Sequence, residues 1–82
     1  MVYHLQVISA MTTKNNKSRH INIEIDNDYQ NFEDIENQID QKFHKKIADF
    51  QSINKNEYFY NWRDENEKVC DYVIRIEERN LN

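Results

Sequence analysis

FEDIENQIDQKFHKKIADF, residues 32–50, decides the fold. Its large apolar residues are Phe32, Ile35, Ile39, Phe43, Ile47 and Phe50, at spacings of 3, 4, 4, 4 and 3. That spacing sets all six on one stripe of an α-helix and suits no strand, whose faces alternate every second residue. The stripe predicts a helix from Phe32 that ends between Phe50 and Ile53, with the residues NKN (54–56) following as a loop. Asn31 is a good N-cap, and Asp34 stands at the third helical position as a shorter version of the capping-box acid. Glu33, Asp34 and Glu36 crowd the first turns while Lys42, Lys45 and Lys46 lie in the second half, which complements the helix dipole at both ends.

On either side of this stretch the period changes to two. Tyr3, Leu5, Val7 and Ser9 fall on one strand face, with His4, Gln6, Ile8 and Ala10 on the other. After the polar loop TTKNNKS (12–18), Ile21, Ile23 and Ile25 alternate with His20, Asn22, Glu24 and Asp26. Setting Thr12 against Ser18 brings Leu5 to Ile25, Val7 to Ile23 and Ser9 to Ile21 on one face, with His4 opposite Asp26. A slip by one residue would turn one apolar set outward. A second hairpin spans Glu57 to Glu78. A turn at Asp64–Lys68, centred on Asn66, pairs Trp62 with Cys70, Tyr60 with Tyr72 and Tyr58 with Ile74. The other face then pairs Arg63 with Val69, Asn61 with Asp71, Phe59 with Val73 and Glu57 with Arg75, the last a favourable charge pair of about 0.2–1 kcal/mol. The expected fold is α+β with the order ββαββ: a single domain over residues 1–82, its four-stranded, mainly antiparallel sheet crossed on one face by the helix. Joining of the hairpins through strands one and three, or two and four, stays open, as does their exchange between two copies.

An 82-residue chain is one domain, and at this size only about 60–65% of the unfolded surface is buried, so a partner or second copy would add materially to the core. The one cysteine, Cys70, allows no intramolecular disulfide and fits a reducing compartment. No apolar run approaches ~20 residues and no basic-then-apolar leader pattern is present, so the expected location is the cytoplasm, away from membranes. Glycine and proline are absent. That excludes Gly-rich phosphate loops and leaves turns to Asn, which tolerates left-handed backbone better than most residues. Asn, Lys, Ile, Tyr and Phe supply 38 residues whereas Gly, Ala, Arg and Pro supply six, a bias of AT-rich coding.

No pattern of catalytic chemistry emerges. His4, His20, His44 and Cys70 lack any C-x-x-C or H-x₃–₅-H spacing, so neither a metal nor another cofactor is expected. Cys70 and Ser9 point inward, and Ser18 and Ser52 are loop residues. Carboxylates are plentiful, but no segment forms a cleft in which a pair could do acid–base work. An enzyme is not expected. The strand EYFYNWR (57–63) invites base stacking, yet Tyr58, Tyr60 and Trp62 share the face that the helix covers. The net charge of −4 opposes binding to phosphate backbones. Lys14, Lys17, Arg19 and His20 form only a small basic cluster, and weak RNA or single-stranded DNA binding ranks third among the functions considered.

Charge is distributed unevenly. Residues 1–20 carry three basic groups and no acid, whereas residues 21–41 carry seven acids and no base. Asp26, Asp28, Glu33, Glu36 and Asp40 form the first candidate surface, since spaced carboxylates on a rigid element steer association with a basic partner. A solvated helix face that merely satisfies the dipole is the plain alternative. The second candidate is the sheet face away from the helix, where Ile8, Phe59, Val69 and Val73 lie among His4, Gln6, Asn22, Glu24, Asp71 and Arg75, a mix suited to a homodimer or partner interface. In its acidity, short length and glycine-free, AT-rich usage the chain is similar to the general type of phage and mobile-element inhibitors, anti-CRISPR proteins and DNA mimics among them. That likeness is compositional and carries no motif. It implies a non-enzymatic protein that blocks the basic, nucleic-acid-handling surface of a host protein complex. An antitoxin, an immunity protein or another protein-binding module using the exposed sheet face is the alternative.

Overall fold

Two long alternating stretches pair at the centre of the molecule: β1 (Val2–Thr13) and β5 (Lys68–Arg79). The computed structural model describes residues 1–13, 19–63 and 68–80. β2 (Arg19–Tyr29) flanks β1, while β4 (Glu57–Arg63) and then β3 (Gln51–Asn54) flank β5. The five strands run in the order β2-β1-β5-β4-β3, and every neighbouring pair is antiparallel. One helix, α1 (Phe32–Phe43), and a 3-10 turn at Ile47–Asp49 lie between β2 and β3. The α+β class therefore holds, with five strands rather than four.

The additional strand exists because the helix stops early. His44 takes a left-handed conformation (φ 55°, ψ 35°) and its backbone N–H donates to the Asp40 carbonyl at 2.8 Å. Lys46 is then extended, and its N–H donates to the Asp49 carboxylate at 3.2 Å, starting the 3-10 turn. The apolar stripe nevertheless stays on the sheet side beyond the break. Phe43 meets the rings of Phe50, Tyr60 and Tyr72 edge-on at 5.4, 5.9 and 4.9 Å between centroids. The 3-and-4 spacing marked the core side from Ile35 to Phe50, although Phe32 at the helix start is 38% exposed, and it meant helix over only the first twelve residues. Asn31 does hold the N-cap position, but its side chain makes no capping bond. Between β3 and β4, the Asn54 carboxamide accepts from the Asn56 N–H at 2.9 Å, a turn chemistry that replaces glycine.

Leu5 and Val7 of β1, Ile35 and Ile39 of α1, Phe50, and Ile74 and Ile76 of β5 form the core. Cys70 and Ser9 are buried on the same sheet face. The second hairpin has the register read from its side-chain alternation at all seven pairs, Glu57–Arg75 to Arg63–Val69; its turn at residues 64–67 lies outside the described residues. The hairpins meet through the first and last strands, with Leu5 opposite Ile76 and Val7 opposite Ile74. That is neither of the two joinings considered from sequence. It places the two longest strands at the centre, where both of their edges are paired.

The first hairpin departs from expectation. Leu5 faces Asn27 and Val7 faces Ile25, but beyond an irregularity Ile8 faces Ile23 and Ala10 faces Ile21. Glu24 is the extra residue, a β-bulge that inverts the alternation. Ile25 stays on the α1 side, while Ile23 and Ile21 turn to the open face and are 61% and 67% exposed. Glu24 and Asn22, expected on the open face, pass to the α1 side. The reason is one of length. A helix of 12 residues spans about 18 Å, whereas 12 strand residues span about 40 Å. The far end of β2 has no helix above it, and its isoleucines gain more beside Ile8. The loop tip at Asn15-Asn16, with Lys14 and Lys17, lies outside the described residues.

Candidate functional site

The outward positions of the strands line up into rows. Ile23 on β2, Ile8 on β1, Val73 on β5 and Phe59 on β4 are successive cross-strand neighbours. At about 4.8 Å per strand the row is some 14 Å wide. Ile21, beside Ala10, extends it on β2. Ile8, Phe59 and Val73 are thus brought together as a contiguous set. Val69 lies farther along β5, opposite Thr12, with Asp71 between it and the row. Ile21 and Ile23 were missed from the sequence because their spacing matches Ile25; the shortness of any helix able to cover all three was the available signal.

Charged residues border the row on both sides. Asp71 accepts from the Asn61 carboxamide at 2.5 Å and from Arg19 at 3.4 Å. On the other side Arg75 pairs with Glu57 at 3.3 Å and approaches Glu77 at 4.0 Å. Hydrogen bonds from Asn54 and then Arg75 hold the Glu57 carboxyl below its ordinary range.

The five acidic candidates do not form one surface. Asp26 and Asp28 project from the open face of β2, where His4 reaches both: its Nε2 lies 2.5 Å from Asp26 and its Nδ1 2.6 Å from Asp28. Both ring nitrogens thus lie within hydrogen-bond distance of carboxylates. Glu33, Glu36 and Asp40 belong to α1, which packs on the opposite face of the sheet. On the helix they lie 120–180° around from Lys42, the residue facing β2, by the ~100° turn per residue. Among the described residues no ion pair involves these three.

The tyrosines of β4 are committed to the core side, while the Trp62 side chain lies outside what the structure describes. Tyr58, Tyr60 and Tyr72 pack against the buried cluster, Tyr60 and Tyr72 are stacked at 6.2 Å, and the Lys45 ammonium sits 4.7 Å from the Tyr60 ring centroid. Burial, reinforced by a bond to Cys70 and by the nearby Glu24 charge, pushes the Tyr72 hydroxyl well above the ordinary tyrosine range. Where α1 begins, an open groove of about 640 Å³ is walled by Tyr3, Phe32, Tyr58 and Ile76 with Lys55, Glu77 and Glu78 nearby. Its lining contains no histidine, cysteine or serine. No helix among the described residues is long and apolar enough to cross a membrane. Comparison with protein-family models, with curated proteins and with solved structures gives no match for this chain.

Proposed function

We propose that the protein is a non-enzymatic binding domain that docks another protein surface through the open face of its sheet. The observation that carries this reading is the contiguous row Ile23–Ile8–Val73–Phe59, apolar at its centre and charged along both sides. Scattered surface hydrophobes are ordinary, but a continuous band on a rigid sheet has the make-up of an interface core with a polar rim. The setting that suits a lone reduced cysteine is the cytoplasm.

A second reading is supported by the carboxylates of α1, which have no ion-pair partner among the described residues. Glu33, Glu36 and Asp40 share one exposed helix flank and would enter a basic, nucleic-acid-handling groove, as an inhibitor of the phage or mobile-element type does. Asp26 and Asp28 do not share that flank and drop out of this mechanism.

One experiment separates the two. Proteins retained from source-cell extract by the immobilised domain are compared with those retained by Phe59→Lys and by Glu33→Lys/Glu36→Lys/Asp40→Lys. Docking through the sheet requires Phe59→Lys to lose at least ~100-fold in affinity with little response to salt. Full retention by Phe59→Lys, with loss confined to the charge-reversed helix, overturns it in favour of the second reading.

A further inference from the structure

Resting on the docking reading, we infer that the open sheet face is occupied by a second copy of this chain, stacked face to face about a two-fold axis that runs across the strands along the row of Ile23, Ile8, Val73 and Phe59. The charge pattern on either side of that row carries the inference. Asp71 and Arg75 project from the open face of β5 two residues before and two residues after Val73. A two-fold axis along the row exchanges the two sides, so Asp71 of each copy meets Arg75 of the other, twice per dimer. This is the self-complementary pattern an isologous interface requires, in which residue i meets j and j meets i. Within the row each side chain meets its own counterpart, apolar against apolar. The alternative two-fold axis, parallel to the strands, would set Asp26 over Glu57 of the other copy, carboxylate against carboxylate, and leave Arg75 over Gln6.

Size and layering agree. Four strands at ~4.8 Å, with seven residues in β4 and 11 or 12 in the others at ~3.4 Å, make a face roughly 19 Å wide and 24–40 Å long. Its projected area is of the order of the ~800 Å² per partner of a standard interface once side-chain relief is included. α1 covers one face of the sheet only; a second sheet at ~10 Å, with strands aligned to within about 30°, would convert the two layers into the four of a closed assembly. Exchange of Asp71 and Arg75 survives such a rotation, because both lie close to the axis and arginine is long.

The test is a charge-swap mixture read by sedimentation equilibrium over 5–500 μM. The unaltered chain is expected to dimerise. Asp71→Arg presents arginine to arginine and Arg75→Asp presents aspartate to aspartate, so each alone should weaken self-association at least tenfold. Mixed one to one, the two variants meet as arginine against aspartate at both positions and should form a heterodimer. Isotope-filtered NOEs in a mixed-label sample of the unaltered chain add a measurement that needs no substitution, with Ile8 methyls contacting Ile8 and Val73 contacting Val73 across copies. A chain that stays monomeric to 500 μM overturns the inference and leaves docking of a different protein to the Phe59→Lys comparison. A dimer untouched by either swap and without those NOEs overturns the inference and likewise leaves docking of a different protein to the Phe59→Lys comparison.

Discussion

Glu24 and Lys42 are joined at 2.7 Å, so the bulged residue of β2 is fastened to the last turn of α1. Partial burial works against the Glu24 charge, but hydrogen bonds from Lys42 and Ser9, with the Lys42 charge, outweigh it and hold the carboxyl below its ordinary value of 4.5. A carboxylate depressed in the folded state contributes stability above the unfolded value, and that stability is lost as pH falls through the folded one. The unaltered protein should therefore lose stability below about pH 4.5 by a component that Glu24→Gln lacks. At neutral pH Glu24→Gln and Lys42→Met should each cost about 0.5–1 kcal/mol in urea unfolding, and their double-mutant cycle should show coupling.

His44 is the one residue with positive φ in the described chain. A side chain in the left-handed region costs about 1 kcal/mol that glycine avoids. His44→Gly is expected to raise the melting temperature by about 4–8 °C, the shift that corresponds to ~1 kcal/mol in a domain of this size. His44→Val, β-branched at the same φ, should lower it. If both variants melt alike, the helix is not terminated by this conformation.

Ile39 is fully buried at the centre of the α1–sheet contact. Removing three carbons there should cost about 2–5 kcal/mol, out of roughly 4–12 kcal/mol for a domain of 82 residues. Ile39→Ala should accordingly unfold at markedly lower denaturant, by far-UV circular dichroism. Ile21→Ala, 67% exposed, should change the midpoint little.

Tyr72 predicts an alkaline limit. Its hydroxyl is raised above the ordinary value of 10.0 by burial first, then by its bond to Cys70. A group whose folded value is raised contributes stability that is complete below the unfolded value and lost as pH climbs toward the folded one. Stability should therefore decline above about pH 10 in the unaltered chain and decline less in Tyr72→Phe.

The second hairpin was legible because its two strands carry aromatic and β-branched residues on both faces. One register alone pairs Tyr58 with Ile74, Tyr60 with Tyr72 and Glu57 with Arg75 together. The apolar row was partly legible: Phe59 and Val73 followed from that register and Ile8 from the alternation of β1, while Ile21 and Ile23 did not. The acidic candidates were grouped by their closeness in sequence, and a sheet one layer thick was enough to put Asp26 and Asp28 on one side and Glu33, Glu36 and Asp40 on the other.

Side-chain periodicity, by itself, determined which residues are apolar neighbours within each element, and hence the class of fold and the stripe from Ile35 to Phe50 that faces the core. It could not say where the helix ends, because His44 adopts the left-handed backbone without the glycine that would announce it. Nor could it reveal the bulge: Glu24 sits where perfect alternation wants a polar residue, and only Lys42, 18 residues away on the helix packed above, makes it an insertion. Alternation is a property of one strand, whereas the face a strand turns outward depends on how far the neighbouring layer reaches. Here α1 is only about half as long as β2, and that shortfall puts Ile21 and Ile23 beside Ile8 on the open face.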